Sequence, residues 1–361
     1  MTEFSSLVQL LAHGADTIID VRSPAEFAED HVPGAINLPV LNNEERAEIG
    51  TIYKQVSPFK ARKIGAAKVF RNASHHIETS LADKEGGWQP LVYCWRGGQR
   101  SGAFAWILKE IGWRSDVIAG GYRTFRRLVV KALYEEPLPM PLIRLGGLTG
   151  TAKTELLPLI AASGAQVIDL EGLARHRGSL LGAWAEPQPS QKAFETLLAV
   201  ELTQLDPSRP ILVEAESSKI GALTLPPSLW AAMKTAPIIE LSVPVDARAK
   251  YLARVYSDIL ADGDALREKL SPLRRVRGAA VLEKWNALTE SGDKIALCRA
   301  LAEDHYDPAY RRSQSARPKV DVTNLSLPNL ETSTLQNVAS RIAQMIETPE
   351  PSVMRPTTAA S

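Results

Sequence analysis

The chain has 361 residues, of which 45% are hydrophobic and 23% are charged, a composition that is ordinary for globular proteins and excludes a disordered or fibrous chain. At about 150 residues per domain, this length predicts two or three domains. Lys and Arg total 42 against 41 Asp and Glu, so the net charge is only +1 and any nucleic acid must be bound by a local basic patch.

Cysteine content and apolar patterning indicate the compartment in which the chain works. The two cysteines, Cys94 and Cys298, are too few for a disulfide framework and are typical of a reducing environment. The N-terminus has no basic segment followed by a long apolar run, and no apolar stretch approaches the ~20 residues of a membrane span. We therefore expect a cytoplasmic protein that does not contact a membrane.

Short apolar runs alternate with longer helical patterns at the start of the chain, which predicts an α/β domain. The predicted strands cover residues 17–21, 90–93 and 117–119. The predicted helices cover residues 24–30, 43–55, 57–82 and 101–111. A Pro-rich stretch at 136–141 can neither continue a helix nor form a central strand, so it predicts a domain boundary. The first domain is therefore expected to span residues 1–136.

The second domain restarts as a strand at 142–145 and is expected to extend to residue 345. Further strands are predicted at 166–170, 210–214 and 237–243, with helices between them, followed by a mostly helical region at 246–312. Residues 346–361 are predicted to form a disordered tail, which lacks apolar periodicity. The predicted fold class is thus two consecutive α/β domains, the second with a helical C-terminal part.

A candidate nucleophile follows the predicted strand at 90–93. Cys94 is succeeded by a Gly-Gly loop and a helix, so backbone N–H groups and the helix N-terminus favour the thiolate over the thiol. The neighbouring residues expected to bind an anionic substrate are Arg96, Gly97, Gly98 and Arg100. The alternative is a buried structural cysteine, which is the interpretation that we prefer for Cys298 in its plain helical pattern.

A phosphate-binding loop is predicted at 147–154, where Gly-Leu-Thr-Gly-Thr-Ala-Lys-Thr follows a strand and opens a helix. Backbone N–H groups can cradle a pyrophosphate there, Lys153 can neutralise it, and Thr154 can reach a Mg²⁺ ion. Ala152 replaces the usual last glycine, so we expect a tighter turn or a lower affinity. A purely structural turn is the alternative. The residues predicted to bind pyrophosphate are Gly147, Thr149, Gly150, Thr151, Lys153 and Thr154.

Other polar clusters give weaker signals. Glu214 and Glu216 end an apolar strand and can act as an acid or bind a metal, although such carboxylates are also commonly just solvated. The adjacent His75 and His76 have no Cys or carboxylate at ligand spacing, so no metal site is predicted from them. Two basic clusters are candidates for binding an RNA backbone, or are solvated helix faces: Arg274, Arg275 and Arg277, and Arg311 and Arg312.

The segments 20–27 and 31–37 resemble the opening of a rhodanese domain, with Asp-Val-Arg-Ser-Pro-Ala-Glu-Phe followed by His-Val-Pro-Gly-Ala-Ile-Asn. Such domains carry sulfur as a persulfide on a loop cysteine after a central strand, a position that Cys94 matches. The five residues between Cys94 and Arg100 are instead the spacing of cysteine-dependent phosphatases. Tyr93 stands where many of those phosphatases have His, which counts against that alternative.

From Asp20 to about Tyr310 the chain resembles the bacterial tRNA 2-selenouridine synthases, in which a rhodanese-like domain is fused to a P-loop domain. The matching segments are 94–101, 147–154, 169–179, 188–195, 214–221 and 305–310. The resemblance implies that wobble 2-thiouridine of tRNA is first S-geranylated with geranyl diphosphate and then selenated with selenophosphate. It also implies that Cys94 carries the selenium, that Arg96 and Arg100 receive selenophosphate, and that no cofactor is tightly bound.

Two other functions stay open at this point. One is a sulfurtransferase with a regulatory nucleotide-binding domain, and the other is a cysteine-dependent phosphatase with a kinase-like partner domain. Tight tRNA binding would distinguish the synthase from both, and hydrolysis of aryl phosphates would identify the phosphatase. Neither the oligomeric state nor the choice of tRNA has a signal in the sequence.

Overall fold

The computed structural model describes residues 1–178, 181–182, 184, 186–315 and 319–347. The predicted tail lies outside these residues from position 348 onwards. The described chain divides into two compact units. The first comprises Met1–Glu136 together with Pro189–Gln204, and the second comprises Pro137–Gln188 together with the chain from Leu205.

The strands of the described residues are short and mostly buried. They are β1 (Thr17–Asp20), β2 (Ile36–Asn37), β3 (Pro90–Tyr93), β4 (Asp116–Val117), β5 (Leu142–Gly147), β6 (Gln166–Ile168), β7 (Ile211–Glu214), β8 (Lys219–Ile220), β9 (Leu223–Thr224), β10 (Ile238–Ser242) and β11 (Val322–Ser326).

Helices connect these strands and build the C-terminal part of the chain. They are α1 (Leu7–Leu11), α2 (Pro24–Glu29), α3 (Asn43–Gln55), α4 (Pro58–Glu78), α5 (Gln99–Ile111), α6 (Gly121–Val130), α7 (Lys153–Ala162), α8 (Leu170–Ala174), α9 (Gln191–Gln204), α10 (Pro227–Thr235), α11 (Val245–Val255), α12 (Gly263–Leu270), α13 (Arg274–Arg277), α14 (Ala279–Ser291), α15 (Lys294–Leu301), α16 (Asp307–Ser315) and α17 (Thr332–Glu347).

The first unit is built on a parallel sheet with the strand order β2-β1-β3-β4. Every residue of β3 is buried, as expected for a short apolar strand that helices cover on both faces. Its core joins sheet residues such as Ile19 and Val92 to Phe104 and Leu108 of α5. The carboxyl end of the central strand β3 therefore leads directly into the cysteine loop.

The second unit is built on a parallel sheet with the strand order β11-β10-β5-β7-β6. The central strand β5 runs into the phosphate loop, and α7 follows. Ligands of open parallel α/β sheets bind beyond the carboxyl ends of the strands, which is where this loop lies. A separate apolar cluster around Trp285 and Leu301 packs the helices that follow β10, and Cys298 is buried in it.

The structure differs from the predicted elements at a few places. The causes are a polar side chain that starts a helix and a strand at the edge of a sheet, neither of which the apolar pattern of the sequence indicates. The predicted strand at 166–170 ends at Ile168, because the Asp169 side chain accepts a hydrogen bond from the Gly172 N–H and starts α8. Strand β11 was not predicted, since it is an edge strand in which only Leu325 is buried. The predicted helix at 57–82 ends at Glu78.

Candidate functional site

Cys94 lies immediately after β3, with only 4% of its surface exposed. Helix α5 begins five residues later, at Gln99. The Ser101 hydroxyl, in the first turn of that helix, donates to the Cys94 Sγ at 3.3 Å. The predicted geometry of strand, glycine loop and helix is therefore present, and Ser101 is a contributor that the sequence reasoning did not single out.

The surroundings of Cys94 act on the thiol in opposite directions. Burial alone would raise its pKa, but hydrogen bonds from the Ser101 hydroxyl and from the Gly98 and Ser101 N–H groups, with the Arg100 charge, hold the pKa below its ordinary value. Cys298 has no such donors, and burial raises the pKa of its thiol to about 12. The two cysteines are thus chemically distinct, since only a thiolate is a good sulfur nucleophile.

Two glycines let the cysteine loop pack against the turn that precedes α6. Gly97 has φ +62°, and a Cβ there would lie 2.5 Å from the Ile118 carbonyl oxygen. Gly121 has φ +59°, and a Cβ there would collide with the Cys94 carbonyl oxygen. Tyr122 N–H donates to that same oxygen at 2.8 Å. The backbone of the loop is therefore held by contacts that only glycine permits.

The two arginines of the loop differ in their surroundings. Arg96 is exposed. Arg100 is partly buried, and its Nη1 donates to Glu26 of α2 at 3.0 Å. Although burial opposes it, the Arg100 charge helps to hold the pKa of Glu26 below its ordinary value. Glu26 was not predicted as part of this site, and an incoming anion would compete with its carboxylate for Arg100.

The strand-end pair Asp20 and Arg22 serves packing. Both side chains are fully buried, and Arg22 donates to both Asp20 carboxylate oxygens. The guanidinium carbon of Arg22 also lies 4.0 Å from the centre of the Tyr122 ring. Arg22 also donates to the Asp30 carbonyl at 2.7 Å, so the contacts of this pair are those of a buried packing element.

Replacing Ser101 by Ala is expected to raise the pKa of the Cys94 thiol by roughly one unit, because the thiolate loses a hydrogen bond that stabilises its charge. The rate of alkylation by iodoacetamide as a function of pH measures this pKa. A Cys298→Ser background ensures that only Cys94 is labelled. An unchanged pH profile in Ser101→Ala would show that the hydroxyl has no influence on the thiolate.

The phosphate loop has the backbone conformation that phosphate loops need. Gly150 has φ +86°, and Ala152, directly before α7, has φ +62°. A left-handed conformation costs a residue with a Cβ about 1–2 kcal/mol. The alanine that replaces the usual glycine therefore keeps the turn but strains it.

Side chains of the phosphate loop point back onto the loop and its neighbours. Lys153 Nζ donates to the Gly147 carbonyl at 2.9 Å, and Thr151 Oγ1 donates to the Leu148 carbonyl at 2.9 Å. The Thr149 carbonyl accepts from Arg248. The ammonium group of Lys153 thus lies at the mouth of the loop, where an anion would sit.

The 305–310 segment braces this loop from the opposite end of the unit's sequence. Tyr310 accepts from the Gly147 N–H at 2.9 Å and donates to the Glu240 carboxylate at 3.0 Å. Asp307 forms a buried pair with Arg248, which also reaches the loop carbonyl of Thr149. The segment belongs to the sequence resemblance, which implies no role for it.

A cavity of about 490 Å³ opens beside the phosphate loop. The polar part of its lining includes the loop together with Glu171, Arg177 and Glu216. The aromatic and aliphatic part of its lining includes Trp184, Tyr251, Leu252, Val255, Tyr256, Tyr306 and Ala309. The lining therefore combines groups suited to an anion with surface suited to an apolar group.

The carboxylates near this cavity differ in burial and in pKa. Glu214 is fully buried and accepts from the Leu170 N–H at 2.9 Å, and burial raises its pKa well above the ordinary value. Glu216 lines the cavity. Burial and the neighbouring Glu216 charge raise the pKa of Glu171 to about 8, and Thr154 Oγ1 donates to Glu171 at 3.2 Å. Glu171 was missed because nothing local in the sequence marks its burial.

Replacing Glu171 by Gln is expected to stabilise the protein relative to the wild type by an amount that grows as the pH rises from 5 to 8. The folded chain keeps the Glu171 proton up to pH about 8, whereas the unfolded chain releases it near 4.5. The wild type therefore loses stability relative to the variant as pH rises through this interval, by roughly 1–3 kcal/mol. Thermal unfolding of both proteins from pH 5 to 8 measures the difference.

Glu155→Gln is the matched control for that measurement. Glu155 lies one residue after Thr154, but its side chain is exposed and paired with Arg254 at 2.9 Å. This control should show no stability gain that grows with pH. A gap between Glu171→Gln and wild type that stays constant with pH would mean that Glu171 is ionised in the folded state throughout.

The basic residues predicted to bind RNA are only partly available. Arg274, Arg275, Arg311 and Arg312 are exposed. Arg277 donates to the His305 ring and carbonyl at 3.0 and 2.8 Å. RNA contact by these residues stays a prediction. In the described part of the chain, no three His, Cys, Asp or Glu side chains are grouped so as to hold a metal, and no helix is long and apolar enough to cross a membrane.

Known protein families match both units. The rhodanese-like domain family matches residues 3–128, and the family described as the tRNA 2-selenouridine synthase AAA domain matches residues 140–271. Together with the two parallel sheets, these matches confirm the predicted fold class of a rhodanese-like domain followed by a P-loop-like α/β domain.

Curated relatives match most of the chain. A tRNA 2-selenouridine synthase of Nitrosomonas europaea is 37% identical over 326 residues, which cover 86% of this chain and 83% of the relative. The enzyme of the same name from Bdellovibrio bacteriovorus is 32% identical, over 83% of this chain and 89% of the relative. The tRNA 2-selenouridine synthase of Hahella chejuensis is 33% identical, over 81% of this chain and 84% of the relative. The resemblance inferred from the sequence is confirmed.

Proposed function

Because the chain belongs to the tRNA 2-selenouridine synthase family, we propose that it converts the wobble 2-thiouridine of tRNA to 2-selenouridine in two steps. Geranyl diphosphate first alkylates the sulfur. The selenium of selenophosphate then bonds to the uracil C2, the C2–S bond breaks and geranylthiol leaves, and hydrolysis of the P–Se bond releases phosphate. The RNA substrate places this reaction in the cytoplasm. The proposal explains why one chain carries both a thiolate loop and a phosphate loop.

The cavity beside the phosphate loop is the single observation that carries the proposal. Alkylation breaks the bond between the geranyl C1 and the diphosphate oxygen, forms the bond between C1 and sulfur, and releases the uracil N3 proton. The loop N–H groups and Lys153 suit the departing pyrophosphate. The aromatic and aliphatic part of the lining suits the isoprenoid chain.

The cysteine loop suits the second step. Selenium transfer requires a polarizable nucleophile, and the pKa of Cys94 is held below its ordinary value, which favours the thiolate. Arg96 is exposed at the loop, and Arg100 adds a second positive charge, so a selenophosphate dianion has partners there. The S-geranyl thiolate is a better leaving group than the unalkylated sulfur, which is why alkylation precedes displacement.

Mass spectrometry of wobble nucleosides tests the proposed function in cells. Cells that express the chain should contain 2-selenouridine, and cells that lack the gene should accumulate 2-thiouridine. Unchanged 2-selenouridine after deletion of the gene would refute the proposal. Hydrolysis of aryl phosphates by the purified chain, with no effect on tRNA, would favour the phosphatase alternative.

A further inference from the structure

Two large aromatic side chains are exposed on neighbouring helices of the first unit. Trp106 of α5 is 55% exposed and Phe70 of α4 is 42% exposed. Their ring centres are 6.2 Å apart in an edge-to-face arrangement. Neither ring belongs to the buried core of the unit, so each ring has exposed surface on which a base can stack.

This aromatic pair lies along the helix that leaves the cysteine loop. Gln99 and Trp106 are seven residues apart on α5, so they share one face, and the helix rise separates them by about 10 Å. Gly102 lies between them on the helix and has open space beside it, since a Cβ there would meet no atom within 4 Å. That separation equals about three nucleotide steps at 3.4 Å per step.

Helix α4, which carries Phe70, is rich in basic residues. The Lys and Arg residues of this helix are Lys60, Arg62, Lys63, Lys68 and Arg71, and its acidic residue is Glu78. Lys68 pairs with Glu48 of α3 at 2.9 Å. Among the described residues, no carboxylate forms an ion pair with the exposed Lys63 or Arg71, which flank Phe70 along the helix. A basic face on a chain of net charge +1 is a local feature that the sequence analysis did not weigh.

We propose that Phe70 and Trp106, flanked by Lys63 and Arg71, form a stacking platform for single-stranded nucleotides of the tRNA. The inference rests on the proposed function, which supplies tRNA as the partner. Proteins that recognise RNA loops stack unpaired bases on aromatic rings and neutralise the backbone with basic residues. The platform holds the nucleotides that flank the wobble base while that base is at Cys94.

The charge on this surface argues for RNA over a second copy of the chain. A symmetric contact through the platform would bring the Lys63 and Arg71 side chains of both copies together, and like charges disfavour such a contact. A polyanion neutralises the same residues. Aromatic rings interleaved with unpaired cations are the combination expected for single-stranded nucleic acid.

Fluorescence anisotropy with a thiolated anticodon stem-loop RNA tests the platform on the full chain. Trp106→Ala and Phe70→Ala should each weaken binding about 5- to 100-fold, as expected for the loss of one stacked base. Trp106→Phe should retain most of the affinity, because stacking needs only an aromatic face. The Lys63→Glu/Arg71→Glu double variant should weaken binding. The slope of its binding constant against salt concentration, on logarithmic scales, should fall by the amount expected for the loss of about two phosphate contacts.

Ile111→Ala is the matched control, since Ile111 is an exposed apolar side chain on another face of α5. It should bind RNA like the wild type. Wild-type affinity in Trp106→Ala and Phe70→Ala would overturn the platform. Sedimentation that shows a wild-type dimer and a monomeric Trp106→Ala, with RNA affinity unchanged, would overturn it in favour of self-association.

The same proteins separate this inference from the proposed function. Wild-type chain that binds RNA through Trp106 but does not convert 2-thiouridine would refute the proposed function and leave the platform standing. Wild-type chain that converts 2-thiouridine, with an unchanged KM for RNA in Trp106→Ala, would refute the platform alone. A midpoint of thermal unfolding equal to that of the wild type shows that each of these surface variants is folded.

Discussion

Replacing Lys153 by Ala is expected to reduce S-geranylation of thiolated tRNA by about 10²–10³-fold, the usual effect of removing one preorganised donor from a developing negative charge. The Lys153 ammonium lies over the phosphate loop, 2.9 Å from the Gly147 carbonyl, where it can take up the charge of the departing pyrophosphate. The same variant, supplied with RNA that is already geranylated, should still install selenium. Nucleoside mass spectrometry measures both products.

Lys234→Ala is the control for this experiment, because Lys234 is exposed on α10 and does not line the cavity. It should geranylate like the wild type. Normal geranylation by Lys153→Ala would mean that the loop is a structural turn or a regulatory nucleotide site. Loss of both half-reactions in a folded Lys153→Ala would contradict the assignment of the loop to alkylation alone.

Replacing Cys94 by Ser is expected to abolish selenium incorporation and to accumulate S-geranyl-2-thiouridine. Serine keeps the size of the side chain but not the thiolate, which the Ser101 hydroxyl and the nearby N–H groups stabilise. Liquid chromatography with mass spectrometry of the digested RNA detects the accumulated intermediate.

Cys298→Ser is the matched control for the Cys94 experiment. Its thiol is buried among helices and has a pKa raised to about 12, so the substitution should leave both half-reactions intact. Equal loss at the two cysteines would point to a structural effect. Selenation without Cys94 would contradict its role in the selenation step.

The two loops were predictable because their chemistry is local in sequence. A buried strand, a glycine-containing loop and a helix follow one another within about a dozen residues at both Cys94 and Lys153, and that order alone aims N–H groups at one point. The structure places both in that setting. Left-handed backbone at Ala152 also agrees with the glycine position that the pattern assigns to it.

The remaining parts of both sites depend on contacts between distant residues. Glu26 meets Arg100 across 74 positions, and Tyr310 meets the Gly147 N–H across 163. Neither pairing leaves a local trace in the sequence. The burial of Glu214, which separates it from the cavity-lining Glu216, likewise follows from how β7 packs between β5 and β6.

Charge patterning was the least informative sequence signal. Arg277 resembles an RNA-binding residue in sequence, yet in the structure its guanidinium donates to His305. The basic face of α4, with its exposed aromatic neighbours, emerges only once the helix is folded and its solvent-facing side is known.

The order of the two half-reactions in the purified full chain tests the account most directly. Thiolated tRNA is incubated with geranyl diphosphate alone, with selenophosphate alone, or with both in sequence, and the wobble nucleoside is identified by mass spectrometry. The account predicts S-geranyl-2-thiouridine in the first reaction, no change in the second and 2-selenouridine in the third. Formation of 2-selenouridine from selenophosphate alone would contradict it.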